Sequence, residues 1–117
     1  MQLNEIGFGD AVPVEGYGPG FFRMGGEVIE GPMICHPGGV VAWGGLTDTV
    51  PLMALSGEVD VLLMGMGADI APLPGDLRAR LEAAGIGVEV MATGPAARTY
   101  NVLLAEGRRI GAALLSV

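Results

Sequence analysis

Lysine is missing from this 117-residue chain, and serine, histidine and cysteine are scarce. Without lysine there can be no P-loop lysine, no Schiff-base lysine and no lysine general base, so mechanisms that need one are excluded. The two serines, Ser56 and Ser116, lie outside any nucleophile-elbow sequence, which excludes a serine hydrolase triad. We therefore predict no catalytic residue and favour a binding or assembly module over an enzyme.

Cys35 is the only cysteine and His36 is the only histidine. Neighbouring residues on one strand point to opposite faces, so we do not expect a Cys-His dyad, and we expect Cys35 to be a buried apolar residue. One cysteine and one histidine are too few for a normal zinc site, and we predict no metal and no cofactor. Because no internal disulfide can form, the sequence predicts a cytoplasmic protein.

Acidic residues outnumber basic ones by 13 to 6, which gives a formal net charge of -7. This charge repels phosphate backbones, so nucleic acid is not an expected partner. The longest stretch without charged residues, 31–47, is interrupted by prolines and glycines and is shorter than the roughly 20 apolar residues of a membrane span. Residues 1–5 lack the basic region of a secretory signal. We expect no stable membrane insertion.

The composition predicts one compact domain. Half of the residues are hydrophobic and 16% are charged, which is too apolar for intrinsic disorder. A chain of this length would bury little in each of two separate cores, so we predict a single domain over residues 1–117. The oligomeric state does not follow from the sequence.

The N-terminal half predicts short strands. Residues 21–24 and 27–30, joined by two glycines, predict a hairpin, whereas the Gly- and Pro-rich residues 1–20 are interpreted as an irregular arm. Short apolar runs at 33–35 and 40–43 predict further strands. Asp48 or Thr49 is expected to begin a short helix with Pro51 in its first turn and with Leu52, Leu55 and Val59 facing inward.

The C-terminal half predicts alternating strands and helices. The run 59–65, which is apolar except for Asp60, predicts a central strand buried on both faces. Helices are predicted from Pro74 to Gly85 and from Thr93 to about Gly107, with strands at 88–91 and 110–117. Such alternation is typical of crossover units on a largely parallel sheet.

Six parts of the chain together form a recognisable pattern: 16–21, 31–34, Trp43, 60–67, 91–101 and 106–109. These segments resemble the Mth938-like family. The resemblance implies a three-layer α/β domain with a mixed central sheet flanked by helices and an N-terminal hairpin. It also implies that the relatives include a mitochondrial assembly factor for respiratory complex I. No catalysed reaction is securely assigned to the domain of this family. Met66 replaces a hydroxyl residue common in relatives, so no role for that hydroxyl carries over.

The strongest candidate ligand site combines the loop Gly65-Met66-Gly67 with the beginning of the helix at Thr93. Ligands bind where strands of open α/β sheets end, and glycine amides beside a helix N-terminus can hold an anion. Arg98 and Asn101 share a helix face with Arg108 and could add a guanidinium and an amide. The alternative is that these residues have structural roles. The glycines would permit a tight turn, and Asn101 would form hydrogen bonds with buried backbone groups. Arg98 would then pair with Glu89 or Asp60.

The preferred function is a non-catalytic protein-interaction module with a protein client, serving membrane-protein or respiratory-complex biogenesis as the resemblance implies. We expect its interaction surface at Tyr17, Phe21 and Phe22, since exposed aromatic patches are common binding sites. The competing hypothesis is a small anion-binding domain or enzyme of unknown reaction that uses Gly65, Gly67, Thr93, Arg98 and Asn101. Tyr100 is expected in the core with a hydrogen-bonded hydroxyl.

Overall fold

A computed structural model describes residues 11–117, which form two sheets and the helices around them. The strands and helices alternate in the C-terminal half, as predicted. The strands are β1 (Val14–Gly18), β2 (Phe21–Met24), β3 (Glu27–Glu30), β4 (Met33–His36), β5 (Gly39–Ala42), β6 (Val61–Gly65), β7 (Gly87–Met91) and β8 (Ile110–Leu114), and the helices are α1 (Thr49–Met53), α2 (Gly75–Ala83) and α3 (Thr93–Ala105).

The central sheet is mixed and has the strand order β5-β4-β8-β6-β7. Strand β6 pairs in parallel with β7 and β8, whereas β4 pairs antiparallel with β8 and β5. Helices α2 and α3 are the crossovers between the parallel strands. The predicted hairpin is present as β2 and β3, and the predicted mixed α/β fold is confirmed.

Strand β6 is buried on both faces because the sheet is covered on both sides. Leu62 and Met64 join the core formed with α1 and α2, which also contains Leu52, Leu55 and Val59. Leu63 points to the opposite face, into the core formed with α3. The predicted central strand is therefore confirmed, and so is the burial of Leu52, Leu55 and Val59, although α1 ends at Met53 and only Leu52 belongs to it. None of the helices in residues 11–117 is both long and apolar enough to cross a bilayer.

The interpretation of residues 1–20 as an irregular arm is wrong for 14–18, while residues 1–10 lie outside the described part. Residues 14–18 form β1, which pairs antiparallel with β2 through a register shift between Val14 and Gly16. Glycine and proline lower the strand propensity of this segment, so pairing and burial decide its conformation. The small sheet β1-β2-β3 packs Phe22 and Met24 beside α3 and covers Met33 and Cys35 of β4.

Candidate functional site

The end of β6 meets the beginning of α3, as the sequence predicted. The Thr93 N–H donates to the Gly67 carbonyl at 2.8 Å. The Gly67 N–H donates to Thr93 Oγ1 at 2.8 Å, and the same hydroxyl donates to the Leu115 carbonyl at 2.7 Å. Thr93 is completely buried. One threonine therefore joins the loop after β6, the first turn of α3 and the end of β8.

The backbone structure explains why both positions of the loop are glycine. A Cβ at Gly65 would lie 2.8 Å from Leu114 Cδ2 and 3.0 Å from the backbone Cα of Thr93, so glycine lets the helix approach the strand. Gly67 has a φ angle of 98°, which side chains rarely adopt. Neither glycine requires a ligand to explain it.

The hydrogen-bond donors of this loop are used inside the protein. The Met66 N–H donates to the Met91 carbonyl at 2.9 Å, and the Gly67 N–H is held by Thr93. Thr93 is also not the predicted N-cap, because Ala92 occupies that position and the hydroxyl reaches across to other elements. Anion binding at this loop stays a prediction, and an anion would have to displace bonds that are already formed.

Asn101 supports the structural alternative. Its Nδ2 donates to the Val14 carbonyl and its Oδ1 accepts from the Val14 N–H, both at 2.8 Å. The side-chain amide thus pairs with β1 as a neighbouring strand would, and it attaches the small sheet to α3. Both hydrogen-bonding ends of the amide are used by this contact.

The two arginines predicted near Asn101 lie in different places: Arg98 Nη1 lies beside Gly94 in the first turn of α3, whereas Arg108 lies beyond the end of the helix. Arg98 is exposed, and Asp60, one of its expected partners, instead pairs with Arg109 at 3.7 Å. Arg108 follows the end of α3, so the predicted shared helix face does not extend to it. It lines an opening of about 310 Å³ over β6 and β7, whose lining also includes Leu63, Glu89, Met91, Thr99 and Leu103.

The predicted interaction surface is only partly exposed. Phe22 is 1% exposed and belongs to the core, so its assignment to this surface is wrong. Its burial follows from the alternation of β2, which points Phe22 and Met24 inward. Tyr17 is 41% exposed, with its hydroxyl against Gly94, and Phe21 is half-buried beside Gly18.

The two groups with strongly shifted pKa values are neighbours in the core. Burial raises the pKa of the Cys35 thiol to about 12, although contacts with Tyr100 and the Ala112 backbone oppose this effect. Burial, and then the nearby Cys35, raises the pKa of Tyr100 above its ordinary range. The Tyr100 hydroxyl has the Cys35 thiol as its polar neighbour, but within residues 11–117 it meets no partner at ordinary hydrogen-bond geometry, so the expected hydrogen bond stays a prediction. Cys35 is buried as predicted.

We expect Cys35 to resist alkylation in the native protein. Burial raises the pKa of this thiol far above pH 8, so it stays protonated there, and the sulfur is also inaccessible. Iodoacetamide labelling followed by mass spectrometry should show modification only after denaturant is added. Rapid labelling of the native chain would contradict the burial of this thiol.

Comparison with known proteins identifies relatives of the whole described region. The model of the family "Protein of unknown function (DUF498/DUF598)" matches residues 14–115. An uncharacterised protein of Rhodobacter capsulatus is 55% identical over 115 residues, which cover 98% of this chain and 93% of that protein. NADH dehydrogenase (ubiquinone) 1 alpha subcomplex assembly factor 3 is 31% identical in Danio rerio and 30% in Mus musculus, over 85% and 98% of this chain. The matches span only 61% and 66% of those assembly factors.

Solved structures share the fold. An outer membrane protein from Bartonella henselae is 35% identical, with a TM-score of 0.83 over 92% of this chain and 96% of that one. A Mth938-like domain from Bordetella pertussis is 27% identical, with a TM-score of 0.78 over 99% of this chain and 89% of that one. The chain therefore belongs to the DUF498/DUF598 family of proteins of unknown function and has the Mth938-like fold.

Proposed function

We propose that this chain acts as a single, non-catalytic domain that binds a client protein during assembly of a larger complex. One observation carries the proposal: the polar groups best suited to hold a small ligand already form hydrogen bonds within the protein. These groups are Thr93, Asn101 and the backbone amides after β6. The names of the related assembly factors support respiratory-complex or membrane-protein biogenesis as the process. A free, buried thiol is consistent with a cytoplasmic location.

The charge of the chain favours a basic client surface. A formal charge of -7 on 117 residues attracts cationic partners and repels nucleic acid. Electrostatic attraction of this kind mainly raises the association rate and weakens with salt. Binding of the client is therefore expected to be faster at low ionic strength.

Deletion of the gene in its own organism tests the proposed function. Native gel electrophoresis should show less assembled NADH dehydrogenase and an accumulation of unassembled subunits, and the wild-type gene should restore the complex. An unchanged amount of every respiratory complex in the deletion strain would contradict the proposal.

Small anions should not stabilise the protein. A ligand at about 100 times its dissociation constant adds about 2.7 kcal/mol to the free energy of unfolding, which a thermal shift detects readily. We expect flat melting temperatures across a panel of carboxylates, phosphates and nucleotides. A shift of that size, lost in Thr93→Val and Arg98→Ala, would support the anion-binding alternative instead.

A further inference from the structure

Within residues 11–117, strand β5 is an outer edge of the central sheet and has backbone groups without a strand partner. A two-residue turn joins β4 to β5, and the pairing of His36 with Gly39 closes this hairpin. The closing pair of such a hairpin exchanges both hydrogen bonds, and alternate pairs do the same. Gly39 and Val41 therefore bond to β4, whereas the N–H and C=O groups of Val40 and Ala42 face away from the sheet. No other hydrogen bond to these two residues occurs within 11–117.

The opposite edge of the same sheet is protected by a charged side chain. Arg78 Nη1, from α2, donates to the Val88 carbonyl of β7 at 3.3 Å. Arg78 also lies 3.6 Å from Glu82, and Glu89 is exposed on β7 itself. A charged side chain across an edge strand is a common barrier to pairing with another chain.

The small sheet also has protected edges. The outward N–H and C=O of Val14 on β1 are occupied by Asn101. The other edge strand, β3, begins with Glu27 and ends with Glu30, and both carboxylates are exposed. Of the four edge strands in residues 11–117, three thus carry a charged or amide barrier.

Strand β5 has no such barrier among the residues that the structure describes. All four of its residues are exposed, including Val40 at 40% and Val41 at 38%, which point to opposite faces. The surrounding stretch, 31–47, contains no charged residue, although the chain as a whole carries 19 Asp, Glu, Lys and Arg residues, 13 acidic and 6 basic. An open, uncharged and apolar edge is a template for pairing with an additional strand.

We propose that β5 accepts an extended segment of a partner protein as a sixth strand of the central sheet. This inference rests on the proposed client-binding function and names its surface. Backbone hydrogen bonds to Val40 and Ala42 would provide affinity, as in other cases of strand addition. The segment is uncharged and apolar where it crosses β5, and basic residues flank it, since the rest of the chain is strongly acidic.

A second copy of this chain is a poorer occupant than a partner segment. Pairing of two β5 strands would join only four residues from each copy, whereas a stable dimer buries roughly 1,200–2,000 Å². It would also bring together two bodies with a formal charge of -7 each, which repel one another. A partner segment avoids both costs because it is basic and extends beyond the strand.

A small recess beside the turn provides a place for one side chain of the partner. Its volume is about 70 Å³, and its lining is mainly apolar. This space suits a small apolar side chain and not an aromatic ring. The residues that line it are Val12, Met24, His36, Pro37, Gly38, Gly39 and Val40.

The test uses blocked eight-residue peptides in which threonine alternates with valine and arginine stands at both ends. Their binding to the full chain is followed by hydrogen exchange of individual amides in NMR spectra. We expect added peptide to protect the amides of Val40 and Ala42. The Ala42 N–H faces outward and makes no hydrogen bond to β4, so Ala42→Pro removes a donor for the peptide and leaves the pairing with β4 intact. It should weaken peptide binding about tenfold, as the loss of one main-chain hydrogen bond implies.

Two controls keep the test independent of folding defects. Val28→Pro places the same change on the protected edge strand β3 and should leave peptide binding unchanged. Peptides N-methylated at the pairing positions should fail to bind the wild-type chain. Absence of binding at millimolar peptide, or protection confined to other strands, would overturn the proposal.

Self-pairing gives a different result, since the amides of Val40 and Ala42 would become protected with rising protein concentration and no peptide. That outcome would overturn the choice of occupant. Complementation of the deletion strain separates this inference from the proposed function. If Ala42→Pro restores the respiratory complex as well as the wild type does, the strand-addition site is wrong while the client-binding function stands.

Discussion

Tyr100→Ala should reduce the free energy of unfolding by about 3–5 kcal/mol, as for other large aromatic side chains removed from a core. Tyr100 is fully buried between α3 and the central sheet, next to Cys35. Its ring fills space that neighbouring residues cannot occupy without moving the helix. Urea unfolding, monitored by circular dichroism, measures the change.

Tyr100→Phe is the matched control and should change stability by less than about 1 kcal/mol, because the hydroxyl has no hydrogen bond of ordinary geometry within the described residues. This variant should also retain client binding. A large loss of function with normal stability in Tyr100→Phe would instead indicate a chemical role for the hydroxyl.

Thr93→Val should cost about 2–4 kcal/mol, because it leaves two backbone groups without their partner in a buried place. Valine has nearly the shape of threonine but cannot accept from the Gly67 N–H or donate to the Leu115 carbonyl. The free energy of unfolding in urea should fall, and amide exchange should quicken at Gly67.

Thr93→Ser keeps the hydroxyl and should lose only about 1 kcal/mol, mainly through the missing methyl group. If Thr93→Val and Thr93→Ser were equally stable, the hydroxyl would not hold the junction. The hydrogen bonds of the Thr93 hydroxyl within the protein would then no longer argue against a ligand site.

Much of the fold could be predicted because local patterns and burial agree. The run 59–65 is apolar except for Asp60, and in the structure Leu62 and Leu63 point to two different cores. The two glycines of the hairpin between β2 and β3 also match the geometry of a tight turn. At such positions sequence, local conformation and packing favour the same structure.

Strand β1 could not be predicted because its strongest support is remote in the sequence. Its edge is held by Asn101, which is 87 positions away from Val14. A single sequence contains no pattern for such a bond. The exposure predicted for Phe22 is wrong for a related reason: its burial depends on the inner face of the small sheet packing against α3 and β4.

The candidate site could be located from the sequence but its chemistry could not. Gly67 and Thr93 do meet, as expected from the order of strands and helices. The pattern does not show which groups these donors and acceptors meet. In the structure the Thr93 hydroxyl bonds to Gly67 and Leu115, and anion binding at this loop stays a prediction.

The central claim, that this chain binds a protein client and not a small ligand, is tested most directly by native mass spectrometry. The protein should be purified under gentle extraction from the organism that makes it. We predict a complex of this chain with another protein in a fixed ratio, and its loss in Ala42→Pro if β5 is the binding edge. Recovery of the free chain alone, together with a thermal shift from a small anion, would contradict the account.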